Sequence, residues 1–465
     1  MTRKTCDVAV VGSGFSGLEA ANILAAQGLR VLLLDENIRM GGQLLRALPW
    51  PGESPGARGL RRYGFRLING VRKGPVVVLN HAKVLDIDEH RGLLVEIEER
   101  EIITVTSSIL LLATGARERF VPFKGWTLPG VISTGAAQIL MKDSGVLPAG
   151  EMLVSGIGPF MLALSAEFLK NRGRLAAILD MGGLRDKLRL LAESFSFFSK
   201  VMEGAQHLAA VFMARVPLHH RTAVVEARGR GAVETVLAAK VSKGGAVIAG
   251  TERTYRIGCL AVGWGFTPNI ELPQRAGCAL HRDDSMGGWV VKVKADLETT
   301  VDRVFAAGEI TGVAGALKSI LEGRLAAQGI LRALGREVDP RGMGHLQRQR
   351  RRHLRFGSCF NRLHRVPDEF LRSIPDEVTV CRCEDVKMGD IRKAVKEGYD
   401  TPAILKRALR TGMGNCQGRT CGPLLYDILA VLTKRKAEEI PPLSVRGPVK
   451  AVAVRSFLSS TSIPP

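Results

Sequence analysis

Short apolar runs alternate with longer amphipathic stretches at the start of the chain. The run Cys6–Val11 precedes a glycine-rich turn and an apolar-striped segment that extends to Ala26. A second apolar run, Leu29–Leu34, follows and is closed by Asp35. This alternation is typical of a βαβ unit, in which a helix joins two parallel strands.

The same pattern recurs in the middle of the chain. Met152–Ser155 predicts a strand, Phe160–Asn171 a helix and Leu175–Leu179 a second strand. Leu260–Gly263 and Val304–Gly308 predict strands that return to the first domain. The second unit is therefore expected to be inserted into the first.

Shorter apolar runs lie between the two units. Charged turns separate Val77–Leu79, Lys83–Ile87 and Leu93–Ile97, which together predict a small antiparallel meander. The longer run Ile109–Gly115 predicts another buried parallel strand.

These elements predict an α/β protein with two dinucleotide-binding (Rossmann-like) domains and a small helical C-terminal domain. We expect the first domain at residues 1–150 and 256–335, and the inserted domain at 151–255. A basic linker (336–375), a cysteine-bearing domain (376–432) and an extended tail rich in proline and serine (433–465) complete the chain.

The composition adds a strong positive charge. The 465 residues carry a formal net charge of +21. An acidic protein partner, an anionic surface and an arginine-rich compositional habit all fit this charge, which by itself does not define a function. We expect the densest basic cluster to form a solvated helix face or a subunit contact, not a nucleic-acid site, because no aromatic platform accompanies it. The cluster consists of Arg348, Arg350, Arg351, Arg352 and Arg355.

Targeting signals are not apparent in the sequence. No secretory leader is visible, and no apolar stretch is long enough to span a bilayer. Four scattered cysteines in apolar contexts are expected to be reduced. They are Cys6, Cys259, Cys278 and Cys359. We therefore expect a cytoplasmic protein that is at most peripheral to a membrane.

The first glycine-rich turn has the form of a dinucleotide fingerprint. Gly12 allows a tight turn, Gly14 lets a pyrophosphate approach the backbone, and Gly17 permits close packing of helix and strand. Asp35, at the end of the second predicted strand, is placed to accept hydrogen bonds from ribose hydroxyls.

The second copy of this turn is degraded. Gly156 and Gly158 are present, but Met161 occupies the third glycine position, where it should narrow the groove. Asp180 keeps the ribose position and disfavours a 2′-phosphate, so the sequence favours NAD or ATP over NADP. An empty, vestigial groove is the alternative interpretation.

Two pairs of cysteines near the C-terminus form a candidate metal centre. Cys381 and Cys383 are one residue apart, whereas four residues separate Cys416 and Cys421. Thiolates favour zinc or iron–sulfur clusters, and the single-residue gap favours [2Fe-2S] because structural zinc sites use wider spacings. Four buried structural cysteines without a metal remain an alternative.

Three further segments resemble flavoproteins of the glutathione-reductase type, which contain two dinucleotide-binding domains. They are Gly41-Gly42-Gln43, Ala113-Thr114-Gly115 and Ala306-Ala307-Gly308-Glu309. The resemblance implies that Gly42, Gln43, Thr114, Gly115, Gly308 and Glu309 join the first fingerprint in binding FAD. Most such proteins have Asp where this chain has Glu309.

Other segments narrow the resemblance to the large FAD subunits of multi-subunit amine dehydrogenases. This group includes opine, D-hydroxyproline and dye-linked proline dehydrogenases and the alpha chain of sarcosine oxidase. The matching segments are Gly125–Gly130, Gly263–Asn269 and Gly308–Gly315. The cysteine-bearing domain resembles bacterioferritin-associated ferredoxin-like [2Fe-2S] domains.

The resemblance implies an FAD- and [2Fe-2S]-containing electron-transfer subunit of a heteromeric dehydrogenase that oxidises a secondary amine or imino acid. It implies an FAD-containing substrate-oxidising partner, with an interface FMN and a small ferredoxin-like subunit as options. No catalytic residue is assigned in this chain. A self-contained NADH:acceptor oxidoreductase and a redox-responsive scaffold with a structural cluster are the alternatives.

Overall fold

The structure, a computed structural model, describes residues 2–45, 59–183, 187 and 197–460. The chain divides into two compact units. The first contains Met1–Arg117, Pro268–Ser358 and Ser444–Pro465; the second contains Glu118–Thr267 and Cys359–Leu443. No helix within the described ranges is long and apolar enough to cross a membrane.

The strands, in chain order, are β1 Thr2–Val11, β2 Val31–Leu34, β3 Val76–Leu79, β4 Ala82–Ile87, β5 Leu93–Ile97, β6 Glu101–Leu112, β7 Ala116–Glu118, β8 Val131–Ser133, β9 Glu151–Gly156, β10 Arg174–Asp180, β11 Leu218–His220, β12 Thr222–Arg228, β13 Thr235–Lys240, β14 Arg253–Arg256, β15 Cys259–Gly263, β16 Phe266–Pro268, β17 Leu280–Asp283, β18 Gly288–Val291, β19 Val304–Ala306, β20 Thr379–Cys381 and β21 Val386–Lys387.

The α-helices are α1 Phe15–Ala26, α2 Gly59–Lys73, α3 Thr134–Asp143, α4 Phe160–Lys170, α5 Phe198–Met213, α6 Glu271–Arg275, α7 Ala316–Ala333, α8 Pro340–Leu363, α9 Asp368–Arg372, α10 Met388–Lys396, α11 Pro402–Leu409, α12 Cys421–Thr433 and α13 Val454–Ser460.

The first unit is built on a seven-stranded sheet with the order β3-β2-β1-β6-β5-β4, and β19 also pairs with β6. Its central strands are parallel. Alternate residues of β1 enter different cores: Val8 and Val10 pack on the side of α1 and α7, whereas Ala9 and Val11 face the opposite side. This double burial explains why the central strands read as continuous apolar runs.

The predicted three-strand meander is wrong in its first strand. Val76–Leu79 pairs in parallel with Val31–Leu34, whereas β4, β5 and β6 form the antiparallel part. The reason is the helix Gly59–Lys73, which turns the connection into a βαβ crossover. The sequence pattern had not indicated that helix.

The second unit contains a parallel five-stranded sheet with the order β11-β10-β9-β15-β8 and a separate antiparallel sheet, β12-β13-β14. Leu260–Gly263 was expected to return to the first domain, but it pairs with β9 and β8 in this second sheet. The chain re-enters the first unit only at Pro268. Val304–Ala306 does return to the first sheet, beside β6.

The C-terminal third is more regular than its sequence suggests. The expected linker, 336–375, contains the long helix Pro340–Leu363 and the short helix Asp368–Arg372. The expected extended tail, 433–465, contains the helix Val454–Ser460, and residues 461–465 lie outside the described residues. The clustered arginines made the helical periodicity of Pro340–Leu363 hard to recognise in the sequence, although Met343 and Asn361 of this helix are buried.

A buried ionic network stabilises the turn that follows β19. The Lys318 ammonium and the Glu322 carboxylate are fully buried and 2.7 Å apart. Glu322 also accepts hydrogen bonds from the Gly308 backbone N–H at 2.8 Å and from Arg350 Nε at 2.6 Å. Lys318 donates to the Gly308 carbonyl at 2.6 Å. The network therefore holds both backbone groups of Gly308.

The charges in this network support one another. Burial lowers the pKa of Lys318. Burial alone would raise the pKa of Glu322, but the charges of Lys318 and Arg350 outweigh it and lower that pKa. Glu322 is therefore ionised, and its carboxylate is the counter-charge that contacts the buried ammonium directly.

We predict that Glu322→Gln lowers the free energy of unfolding by about 3 kcal/mol, because the buried Lys318 ammonium loses the carboxylate that contacts it directly. Urea denaturation followed by circular dichroism measures the change. Glu101→Gln, which alters an exposed carboxylate of the same unit, is the control and should shift the free energy by less than about 0.5 kcal/mol. Equal shifts for the two variants would contradict the role given to Glu322.

Candidate nucleotide and cluster sites

The first glycine turn is shaped by close main-chain contacts. Gly12 has φ +108°, and a Cβ there would lie 2.3 Å from the Ala113 carbonyl oxygen. A Cβ on Gly17 would lie 1.9 Å from the Gly12 carbonyl oxygen. Gly14, in contrast, has open space at its Cβ position, at the N-terminus of α1. The open side and the helix N-terminus together suit a pyrophosphate.

Asp35 is held by this turn and by its own loop. One carboxylate oxygen accepts from the Ser13 backbone N–H at 2.7 Å and from the Ser13 hydroxyl. The other accepts from the backbone N–H of Asn37 at 2.8 Å and from its side-chain amide at 2.7 Å. Asp35 is 5% exposed. Both oxygens thus have protein donors, and contact with a ribose stays a prediction.

The Gly41–Gln43 segment lies against the same turn. The Gly41 N–H donates to the Ser13 carbonyl at 2.9 Å. A Cβ on Gly42 would lie 3.1 Å from the Gly14 Cα, so the two glycines face each other closely. Gln43 is exposed. The segment therefore borders the open side of Gly14.

Thr114 and Gly115 follow the end of β6 and are tied to Asn269. The Thr114 hydroxyl donates to the Asn269 carbonyl at 3.1 Å, and the Asn269 amide returns a bond to the Thr114 carbonyl at 2.8 Å. Arg117 binds Glu271 with two hydrogen bonds, at 2.6 and 3.0 Å. In the sequence, Asn269 stood out only as the end of a resembling segment, and the Arg117–Glu271 pair gave no signal.

Gly308 and Glu309 bring the far end of the first unit to the fingerprint helix. Gly308 has φ +85°, and a Cβ there would lie 2.5 Å from the Ser16 hydroxyl. The Glu309 carboxyl accepts from the Gly315 N–H at 2.9 Å and from the Ser319 hydroxyl at 3.2 Å. Burial raises the pKa of Glu309. These contacts fix the Glu309 carboxyl beside Gly315 and Ser319, and its contact with a ribityl chain stays a prediction.

The first unit therefore fits FAD by its own shape. Gly14, Gly115 and Gly315 each leave open space where a side chain would stand, and all three border the segments described above. A long dinucleotide needs such side-chain-free backbone along its length. The fit rests on the open space at these three glycines.

The second glycine turn is built in the same way but is occupied by a side chain. A Cβ on Gly156 would lie 1.8 Å from the Gly263 carbonyl oxygen. At Gly158, a Cβ would lie 2.1 Å from Nε2 of His364. The same imidazole lies 2.8 Å from the Cβ position of Gly265. His364 thus stands over the glycine that a phosphate would approach.

Other residues of the second turn also have protein partners. Met161, 3% exposed, packs into the apolar core of the unit. Asp180, 2% exposed, forms an ion pair with Lys187 and contacts His220 Nδ1 at 3.3 Å. Burial lowers the pKa of His364 to about 4, so this imidazole is neutral at pH 7. No sequence pattern pointed to His364.

The four C-terminal cysteines converge. Cys381 ends strand β20, Cys421 is the first residue of α12, and the thiols of these two residues are hydrogen-bonded. Cys383 lies in the loop after β20 and Cys416 in the loop before α12, and the thiols of these two residues are hydrogen-bonded in the same way. Each loop therefore contributes one thiol to each pair.

Hydrogen bonds favour a thiolate within this group. The Cys421 thiol lowers the pKa of Cys381 to about 5, and its own pKa is raised in return. Backbone N–H groups of Gly412, Glu384 and Cys383 add to the first effect. Anionic sulfur ligands need such donors, and the N-terminus of α12 adds a favourable dipole at Cys421.

Glycines let the two cysteine loops approach each other. A Cβ on Gly414 would lie 2.1 Å from the Cys383 Cβ. Gly412 and Gly418 have φ values of +82° and +78°, and Leu443 packs against both. These three glycines shape the candidate cluster site, and sequence reasoning did not single them out, although their density around Cys416 was a visible signal.

The arrangement favours a binuclear centre. Among the residues that the structure describes, no group of three or more His, Cys, Asp or Glu side chains is placed to hold a single metal ion. The two thiol pairs suit a [2Fe-2S] cluster, in which each iron takes two cysteines.

The cysteine-bearing segment is attached to the rest of the second unit by aromatic and ionic contacts. The Trp126 indole N–H donates to the Thr379 carbonyl at 2.7 Å, and the Arg382 guanidinium lies 5.3 Å from the Trp126 ring centre. Arg119 forms an ion pair with Asp427 of α12. The strand that ends at Cys381 is thereby fixed to the loop around Trp126.

Comparison with known proteins identifies both domains. Residues 6–329 match the family model "Pyridine nucleotide-disulphide oxidoreductase", and residues 379–431 match "BFD-like [2Fe-2S] binding domain". One subunit of the opine oxidase of Rhizobium meliloti is 30% identical, with 96% of this chain and 97% of the relative covered. The HcnB subunit of the hydrogen cyanide synthase of Pseudomonas aeruginosa is 31% identical, with the same coverages.

A solved structure supports the fold. L-proline dehydrogenase from P. horikoshii aligns with a TM-score of 0.71 at 20% identity, over 97% of this chain and 79% of that one. The expected α/β class, with Rossmann-like domains and a helical C-terminal domain, is confirmed, as are FAD and [2Fe-2S] as cofactors. The chain belongs to the pyridine nucleotide-disulphide oxidoreductase family, as an FAD-dependent oxidoreductase that also carries a BFD-like [2Fe-2S] binding domain.

Proposed function

We propose that the chain is the electron-transfer subunit of a heteromeric dehydrogenase that oxidises a secondary amine or imino acid of the proline, hydroxyproline, opine or sarcosine class. The observation that carries the proposal is the presence of two redox sites in one chain: the glycine-edged FAD site and the four converging thiols. Two relatives that match almost the whole chain are named as subunits, one of them of an opine oxidase.

The residues of this chain bind and orient. Bound FAD would accept an electron pair, which the cluster would pass on one electron at a time. Gly12, Gly14 and Gly17 would present the helix N-terminus to the pyrophosphate, and Glu309 would hydrogen-bond the ribityl chain. The network around Glu322 keeps the Gly308 turn in place. No acid or base of this chain is assigned to the substrate, which the proposal gives to a partner.

The partner is proposed to be an FAD-containing subunit that holds the amine. An FMN at the interface and a small ferredoxin-like subunit are further components of the proposal. We place the complex in the cytoplasm, in keeping with scattered cysteines that form no disulfide among the described residues. Co-purification from the native source, with flavin and iron analysis, identifies the components.

We predict that Cys421→Ser and Cys416→Ser each lose the iron and labile sulfide of the chain, because each removes one of the two thiolates of an iron. Bound flavin should remain, since the FAD residues belong to the other unit. Iron, sulfide and flavin are measured after anaerobic reconstitution of the full chain.

Cys359→Ser is the matched control, because Cys359 is a cysteine of the same unit that lies outside the two pairs. It should keep wild-type iron and sulfide. Wild-type chain that takes up one zinc and no sulfide would contradict the cluster. A cluster that never changes oxidation state while the complex turns over would favour the structural scaffold instead.

The second nucleotide site decides between the proposal and a self-contained NADH:acceptor oxidoreductase. The position of His364 over Gly158 supports a groove that is filled by protein, with neither NAD nor ATP bound. The partners of Asp180 point the same way. Electrons would then enter from the partner subunit.

We predict that NADH does not bleach the flavin of the isolated chain within seconds. His364→Gly should open the groove and allow NADH or ATP to bind, as measured by calorimetry. His345→Gly, at an exposed histidine of the other unit, should not. Rapid bleaching of the wild-type chain by NADH would establish the alternative enzyme.

A further inference from the structure

The C-terminal segment is built into the first unit. The Val449 N–H donates to the Leu85 carbonyl at 2.7 Å, which ties the segment to strand β4. Val449 is 1% exposed and packs, with Val445, into the apolar core on that side of the sheet. Apolar burial and a main-chain bond to a strand distinguish this segment from a loosely attached tail.

A buried carboxylate holds the segment at a second point. Glu96 of β5 is 0% exposed and accepts from the Ala453 N–H at 2.9 Å and from the Ser456 hydroxyl at 2.8 Å. Lys83 supplies its counter-charge at 3.2 Å. The position of the chain between these two anchors is therefore well determined.

Lys450 lies between the anchors and points to the end of β2. Its ammonium forms an ion pair with Glu36 and interacts with the charge of Asp35. Burial lowers the pKa of Lys450 to about 8, so the side chain is mainly charged at pH 7. The Lys450 side chain is 29% exposed, and its partly buried ammonium is stabilised by an anionic partner.

The end of β2 is where the adenosine ribose of a dinucleotide lies in this type of fold. Both Asp35 oxygens already accept from Ser13 and Asn37. Glu36, the next residue, is half exposed and has its carboxylate beside the ammonium of Lys450. The carboxylate that remains accessible to a ligand is therefore that of Glu36.

We propose that the C-terminal segment is part of the FAD site: Lys450 fixes the Glu36 carboxylate, which accepts the hydrogen bonds of the adenosine ribose in place of Asp35. Asp35 keeps the shape of the glycine turn. Lys450 is thus a positioning residue, and the segment that carries it holds the adenosine half of the cofactor against the sheet. The proposal rests on the FAD site of the proposed function.

The test measures FAD binding by the full chain after removal of the flavin, from the quenching of FAD fluorescence. Lys450→Met should raise the dissociation constant about tenfold, the size of one charged hydrogen bond. Glu36→Gln should also raise the dissociation constant. The double variant, Lys450→Met with Glu36→Gln, should bind FAD no more weakly than the weaker-binding single variant, because both substitutions act through one contact. Lys450→Arg keeps the charge and should bind FAD nearly as the wild type does.

Lys294→Met is the matched control, since Lys294 is an exposed lysine of the same unit that is also paired with a glutamate. It should leave the constant unchanged. The thermal midpoint of the flavin-free chain is measured for each variant. Wild-type FAD affinity in Lys450→Met overturns the proposal. The proposal also fails if Lys450→Met binds FAD weakly, Lys450→Arg does not restore binding, and the loss of affinity parallels a lower thermal midpoint. Failure of the wild-type chain to bind FAD would instead remove the proposed function.

Discussion

The close approach of main chains at glycine positions is the constraint on which the rest of this structure depends. A Cβ built on Gly12, Gly17 or Gly156 would lie only 2.3, 1.9 or 1.8 Å, respectively, from a backbone carbonyl oxygen. A side chain at any of these positions would separate a strand from its helix or from the neighbouring strand. The turns keep their shape because no side chain is there, and shape is what lets backbone N–H groups meet a phosphate.

The same constraint operates in the cysteine-bearing segment with a different result. Gly414 lies so close to Cys383 that a Cβ would be 2.1 Å from the cysteine Cβ. Here the missing side chain brings one loop against another, and the thiols of both loops meet. Glycine thus leaves room for a nucleotide in the first unit and lets the cysteine thiols approach one another in the second.

The second nucleotide turn keeps the main-chain contact at Gly156, but the imidazole of His364 fills the space at Gly158. A neutral imidazole offers no positive charge to a phosphate, which is consistent with electrons that arrive from a protein partner and not from a nicotinamide.

The sequence predicted the elements whose signals are local. The βαβ units, the first fingerprint and the cysteine pairs were visible because strand, glycine and helix follow one another directly. Prediction failed where a distant segment determines how a strand pairs. Val76–Leu79 is parallel to its neighbour because a helix precedes it. Leu260–Gly263 lies in the second sheet because it pairs with β9 there. Site residues from far along the chain could not be recognised either, since only the fold brings His364 to Gly158 and Lys450 to Glu36.

The basic cluster, expected to be a solvated helix face or a subunit contact, is only partly exposed. Arg350 joins the buried network with Glu322, whereas its neighbour Arg351 lies exposed on the same helix.

The most direct measurement of the central claim is the number of electrons that the purified, reconstituted chain accepts in an anaerobic reductive titration. The account predicts roughly three per chain, two at the flavin and one at the cluster, with separate spectral changes for each. Uptake of only two electrons, with all absorbance changes belonging to flavin, would contradict it.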